Sequence, residues 1–292
     1  MVNKSVIYSC LGLAVLIVSF SAILIKAASE APSLVIAAAR LGISALVLAP
    51  LALALKREAM RALSPREWAL ILCSGLFLGL HFVTWISSLK YTSVASSVIL
   101  VSINPVFVGL GARFLIGERL DRRLWLGIGV SVAGAILIGY GDIQVGGMAL
   151  WGDLLALLGA MMASGYFLVG RRLRPKTDLL MYIFVVYSTA ALVLLLLVFP
   201  ARAEVFSYAP LTYLWLILMA LGPQLLGHTM FNWALRYIPA ASVAVVILGE
   251  PIGSSILAYF LLHEELTWLK LAGGALTLSG IYLAIRWDSS RP

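Results

Sequence analysis

Glu250 stands immediately before Pro251 in the middle of a long apolar run, and Asn104 stands immediately before Pro105 in another. A charged group at that depth of a bilayer costs at least roughly 2.5–3.5 kcal/mol. Glu250 is therefore expected to face protein and to be protonated or paired, where it can contact a substrate amine, carry a proton or bond to neighbouring helices. His81, Thr84, Trp85 and Ser88 recur at i, i+3, i+4 and i+7, one face of a helix. Polar groups beside an indole offer a small solute both hydrogen bonds and a stacking surface. Gln224, His228 and Asn232 form a second stripe at i, i+4 and i+8, and Gly222-Pro223 at its start is expected to interrupt the helix. Tyr166 adds an aromatic hydroxyl, and Ser102 lies one turn before the Pro105 break. Ser19, Ser21 and Ser164 can line the same space or serve close packing.

This is the chemistry of reversible binding rather than of bond making. His263-Glu264 is not a zinc-protease motif, because position 267 is Thr where HExxH needs His. No GxxxxGK[ST] loop is present for ATP. Cys10 and Cys73 lie in apolar runs without metal or redox spacing. The aspartates sit at boundaries or in loops. No catalytic residue, metal ligand or cofactor site is expected.

The elements that must position these residues follow from composition. The chain is 62% hydrophobic and 12% charged, against about 25% charged residues in soluble domains, so its solvent is lipid. Ten apolar runs of about 18–25 residues can each cross roughly 30 Å of hydrocarbon as a helix. They cover approximately 6–27, 33–55, 67–89, 92–116, 123–141, 151–171, 178–199, 211–235, 238–262 and 267–286. Ser64-Pro65-Arg66-Glu67 reads as a helix start, and Gly75-x-x-x-Gly79 as a close-packing face. With the N-terminus in the cytoplasm, 16 of the 21 Lys and Arg fall on the cytoplasmic side. The net charge of +8 thus reads as membrane orientation rather than nucleic-acid binding, with both termini inside. Arg40 and Lys90 are expected at the outer ends of the second and third spans, and Glu264 as a solvated loop charge.

The two halves repeat. Between 89 and 137, thirteen residues recur unchanged 146 positions later, among them Tyr91, Pro105, Glu118, Gly127 and Gly134. Five spans per half is odd, so the second copy must be upside down in the membrane. The expected fold is all-α and integral to the membrane. Ten transmembrane helices form two inverted five-helix repeats, 1–145 and 146–292, around a central cavity. Pro105 and Pro251 each remove a backbone donor and free a carbonyl, which lipid tolerates only where protein or cavity water satisfies it. Breaks at matching depth in two repeats point to a binding site. The substrate cavity is accordingly expected to use His81, Thr84, Trp85, Ser102, Asn104, Tyr166, Gln224, His228 and Glu250, with helix breaks at Pro105, Pro223 and Pro251.

Three stretches carry a family resemblance: Tyr91-Thr92-Ser93-Val94-Ala95-Ser96-Ser97, then Asn104-Pro105, then Gly117-Glu118-Arg119-Leu120. Their copies read Tyr237-Ile238-Pro239-Ala240-Ala241-Ser242, Glu250-Pro251 and His263-Glu264-Glu265-Leu266. A ten-span chain with these features resembles the EamA-type branch of the drug/metabolite transporter superfamily, most of all its bacterial exporters of aromatic and other amino acids. The resemblance implies a bacterial inner-membrane location and export of small metabolites. Read together, these features describe a secondary transporter working by alternating access, not an enzyme. Aromatic and apolar walls with few fixed charges suit a small zwitterion, hence an amino acid. A drug or nucleoside exporter of the same fold, and more remotely a membrane-embedded transferase, are the rival readings. His81 and Glu250 can carry protons, while facilitated diffusion needs neither. One chain holds both halves, so a monomer can suffice.

Overall fold

The computed structural model of the chain describes residues 3–116, 122–145, 147–201, 204–238 and 240–286, and every regular element among them is helical. The Gly117-Glu118-Arg119-Leu120 exit, Asp121, Arg202, Pro239, Asp288, Arg291 and the boundary residue 146 lie outside the described residues. In the first half, α1 (Lys4–Ser19) passes into α2 (Ser21–Ala27) at Phe20. Next come α3 (Ser33–Leu55), the short α4 (Arg57–Arg61) and α5 (Pro65–Ser88). The half ends with α6 (Val94–Val101), α7 (Asn104–Ile116) and α8 (Arg122–Val145). The second half holds α9 (Ala149–Leu173), α10 (Leu179–Val198) and α11 (Pro210–Met219), then a π-helical segment (Ala220–His228) leading into α12 (Thr229–Ala234). It closes with α13 (Ala240–Ile247), α14 (Gly249–Leu262) and α15 (Trp268–Arg286).

Each expected apolar run coincides with one of these helices or with consecutive ones. Among the described residues, eight are long and apolar enough to cross a membrane, and α8 and α15 are not among the eight. Large apolar side chains cover the outside of the bundle, such as Leu46 and Phe199, as lipid contact requires.

Local signals fix the ends. Ser64 and Glu67 form a reciprocal capping box at the start of α5, with Pro65 in its first turn, which satisfies two orphan donors. Asp178 caps α10 by accepting from the Met181 N–H. Pro105 lies in the first turn of α7 and Pro251 in the first turn of α14. Each sits just past the break that a missing N–H and a clash with the i−4 carbonyl demand. Pro223 behaves otherwise. The helix does not break there but widens to i+5 spacing from Ala220 to His228, because the broader turn accommodates a residue without an N–H.

Glycines set the closest helix contacts. Gly75 and Gly79 of α5 lie against Val186, Thr189 and Ala190 of α10. On α8 and α15 the contacts are reciprocal: Gly134 meets Thr277 and Gly273, while Gly280 meets Ser131 and Gly127. Ser131 donates to the Thr277 carbonyl and Thr277 to the Ser131 carbonyl, each at 3.4 Å. Residues later along α8 meet earlier ones of α15, Gly141 reaching Leu269, so the two helices run antiparallel. Other pairings recur in the same sense: α5 packs on α9 as the π segment packs on α1, and α7 packs on α9 as α14 packs on α1.

One end of the bundle is closed by polar contacts between the halves. The Glu264 carboxylate accepts from the Val94 N–H at 2.8 Å, capping α6, and lies 3.9 Å from Lys26 Nζ. Lys270 Nζ donates to Ser93 Oγ at 2.9 Å. Glu264 is therefore a cap rather than a solvated charge, because α6 starts with unsatisfied donors beside it. At that end Glu30 also accepts from the Ala209 N–H and Thr212 Oγ1, 3.1 and 2.7 Å, and these bonds hold its carboxyl below the usual range.

Candidate functional site

The helix breaks open onto a cavity between the halves. Val101 and Ile247, four residues before Pro105 and Pro251, both line it, as do Asn104 and Glu250. Both pairs are repeat equivalents, 146 positions apart. The two copies of one sequence position thus face one space, with a carboxamide on one side and a carboxyl on the other. The cavity encloses about 30 Å³ of free space, room for a water or two. A ligand pocket of about 300–1,000 Å³ would need the walls to part.

The α5 stripe splits. His81 and Trp85 line the cavity, stacked at 5.9 Å between ring centroids and 9° between planes. His81 Nδ1 lies 3.0 Å from the Gly159 carbonyl; that oxygen only accepts, so Nδ1 carries the hydrogen and Nε2 is left to the opposite side. Thr84 does not line the cavity. Its hydroxyl turns back onto the Leu80 and His81 carbonyls of its own helix, 2.8 and 3.1 Å away, a bond always within reach of a helical Thr. Ser88 is likewise tied to Trp85 O and Ser97 Oγ.

The second stripe splits too. His228 lines the cavity, edge-on to Phe82 and Phe231. Asn232 supports it from behind, donating to the Tyr166 hydroxyl and to the His228 carbonyl. Tyr166 and Ser102 face the cavity as expected. Gln224 does not: it lies fully buried behind the wall, where its Oε1 accepts from Arg40 Nε at 2.8 Å. Ser21 lines the space, while Ser19 and Ser164 serve the packing of α14 and α7, Ser164 donating to the Asn104 carbonyl.

Arg40 is the residue that sequence reasoning placed elsewhere. It does not sit at the outer end of its span but is fully buried and lines the cavity. Its guanidinium lies 4.1 Å from the centre of the Phe82 ring and donates to Gln224 and to Ser21 Oγ at 2.6 Å. Nη2 has no partner. Lys56–Asp178 and Lys26–Glu264 are the ion pairs among the described residues, so Arg40 and Glu250 share the cavity without touching. Trp85 Nε1, Asn104 Oδ1 and His228 Nδ1 are also buried without partners. The site therefore presents donors and acceptors, one fixed cation and one carboxyl within aromatic walls. With its walls parted such a lining suits a small polar solute, and among the described residues no cluster of ligands could hold a metal.

Comparison with known proteins supplies the class. A solved crystal structure 20% identical in sequence superposes with a TM-score of 0.69 over 97% of both chains, so the fold is shared. An uncharacterized transporter of Archaeoglobus fulgidus is 27% identical over 201 residues, 67% of this chain and 68% of the relative. The pseudopaline exporter CntI of Pseudomonas aeruginosa is 26% identical over 227 residues, 76% of each. The model of the EamA-like transporter family matches residues 6–140 and again 150–286. Two matches covering nearly all of a multi-pass membrane chain make it a member of the EamA-like transporter family.

Proposed function

We propose that this protein is a secondary transporter that exports amino acids, aromatic or of broad range, across the bacterial inner membrane by alternating access. In this reading ten helices cross the membrane as two inverted five-helix repeats, residues 1–145 and 146–292, with both termini cytoplasmic. The antiparallel, reciprocal seam of α8 and α15 supports the inversion. One observation carries the reading: repeat-equivalent side chains, Asn104 and Glu250, flank one buried cavity beside matched helix breaks. Transporters of inverted-repeat design bind at such interfaces. The Glu264–Val94 and Lys270–Ser93 contacts then close the periplasmic end. In this reading the cavity, about 30 Å³ here, widens as the helices part at the Pro105 and Pro251 breaks to load and release. Export of pseudopaline by one relative fits the export of small metabolites. His81 and Glu250 can carry protons in this reading, and one chain, holding both halves, can act as a monomer.

The test is counterflow in reconstituted liposomes against a panel of amino acids, drugs and nucleosides, with and without a proton gradient. Saturable exchange of amino acids is expected. Exchange confined to drugs or nucleosides would overturn the substrate, and no exchange of any solute would overturn transport. Unchanged rates after collapse of the gradient would remove proton coupling.

A further inference from the structure

We infer that Arg40 is the anion subsite of this cavity and that it takes a carboxylate, so that the transported molecule must carry one. The inference rests on the transport reading but names the group that recognises the cargo. The site is built. Gln224 fixes Nε, Ser21 fixes Nη1 and Phe82 supports the guanidinium plane at 4.1 Å. Arg40, Gln224 and Phe82 are each fully buried. These contacts leave one edge of the fork, Nη2, without an acceptor. Trp85, 3% exposed, lines the same cavity and its Nε1–H also lacks an acceptor. Two buried donors, one of them cationic, on the wall of one cavity suit an anionic oxygen pair.

A structural role accounts for the two tethered nitrogens but not for the cost. Burying a guanidinium without a touching counter-charge is unfavourable, and a packing role would be met by an apolar side chain of similar size. Glu250 does not neutralise Arg40 by contact, although both line the cavity. A ligand that places a carboxylate on Arg40 and an ammonium towards Glu250 and Asn104 Oδ1 satisfies all of them. A cationic amine without a carboxylate leaves Arg40 unpaired and adds a like charge to the cavity.

The experiment uses three probes that share a phenylethyl frame: phenylalanine, phenethylamine, which lacks the carboxylate, and 3-phenylpropionate, which lacks the amine. Thermal stabilisation of the purified wild-type protein in detergent and competition in liposome counterflow are both read. Phenylalanine and 3-phenylpropionate should stabilise the protein, and phenylalanine should compete on the order of tenfold or more better than phenethylamine, the loss set by one charge-assisted hydrogen bond. Arg40→Gln should erase that preference. Arg40→Lys should keep it only in part, since an ammonium cannot hold Gln224, Ser21 and a ligand in one plane. Equal binding of phenylalanine and phenethylamine by wild type would overturn the inference while leaving transport intact. So would a folded Arg40→Gln that retains the preference. Should Arg40→Gln not fold, the wild-type comparison decides alone. Binding of carboxylates without exchange would instead sink the transport reading and spare the subsite.

Discussion

Tyr166 shows how the cavity wall is held from behind. Its hydroxyl accepts from Asn232 Nδ2, and Asn232 is fully buried with Oδ1 already unpartnered. Tyr166→Phe keeps the ring and removes the acceptor. It should lower stability by about 1–3 kcal/mol, the cost of orphaning a buried donor, seen as a reduced melting temperature in detergent. An unchanged melting temperature would mean that the bond is not formed. That His81, Trp85, Ser102, Asn104, Tyr166, His228 and Glu250 line one cavity was legible because polar groups inside apolar runs are costly and must face protein. Thr84 and Gln224 were misplaced because spacing assigns a face but not a depth behind it. Arg40 was missed for a related reason. It is the eighth residue of α3, about 10 Å from the helix start, and a long side chain at that level can reach either water or protein. Its partners, Ser21 and Gln224, come from remote segments that no local pattern joins. The one available signal was a lone basic residue well inside an apolar span.

At the level of the helix, the two proline breaks and the π segment solve one problem in different ways. α6 stops at Val101 and α13 at Ile247, each a turn before its proline, and the broken backbone faces the cavity rather than lipid. These breaks were readable from the sequence, since proline forbids the i−4 bond wherever it falls inside a helix. The π segment was not, because Gly222-Pro223 signals interruption equally well whether the chain breaks or widens. Pro251→Ala restores an N–H and allows α13 and α14 to join. Counterflow rates should fall severalfold while the protein remains folded, if bending there accompanies opening. A rate equal to wild type would make the break a fixed feature of packing.

Across the whole molecule, the halves meet at both ends of the bundle. Asp178 caps α10 and pairs with Lys56 at 2.9 Å. Partial burial alone would raise its pKa, but the bonds from Lys56 and the helix N-terminus outweigh this, and the net direction is downward. A lowered folded pKa makes the contribution present at neutral pH and lost as pH falls through that lowered value. Asp178→Ala should therefore destabilise by about 1 kcal/mol near pH 7. The gap to wild type should close in acid, below about pH 4, and a gap independent of pH would contradict the assignment. Asp178→Asn should cost less, since Asn also caps. The helical class and the placing of the apolar runs were legible from the sequence, and eight of the segments found are long and apolar enough to cross a membrane. The contacts joining the ends were not, because Glu264 reaching Val94 or Lys56 reaching Asp178 depends on tertiary placement of loop residues.

The seam of α8 and α15 has a consequence of its own. Each helix offers its counterpart the same glycine notch and the same hydroxyl knob, so each half already carries the surface that its sibling recognises. Covalent continuity through residue 146 adds proximity to this fit rather than new complementarity. Were the proposed inverted arrangement cut between α8 and α9, each fragment would still carry the notch and knob through which the other docks.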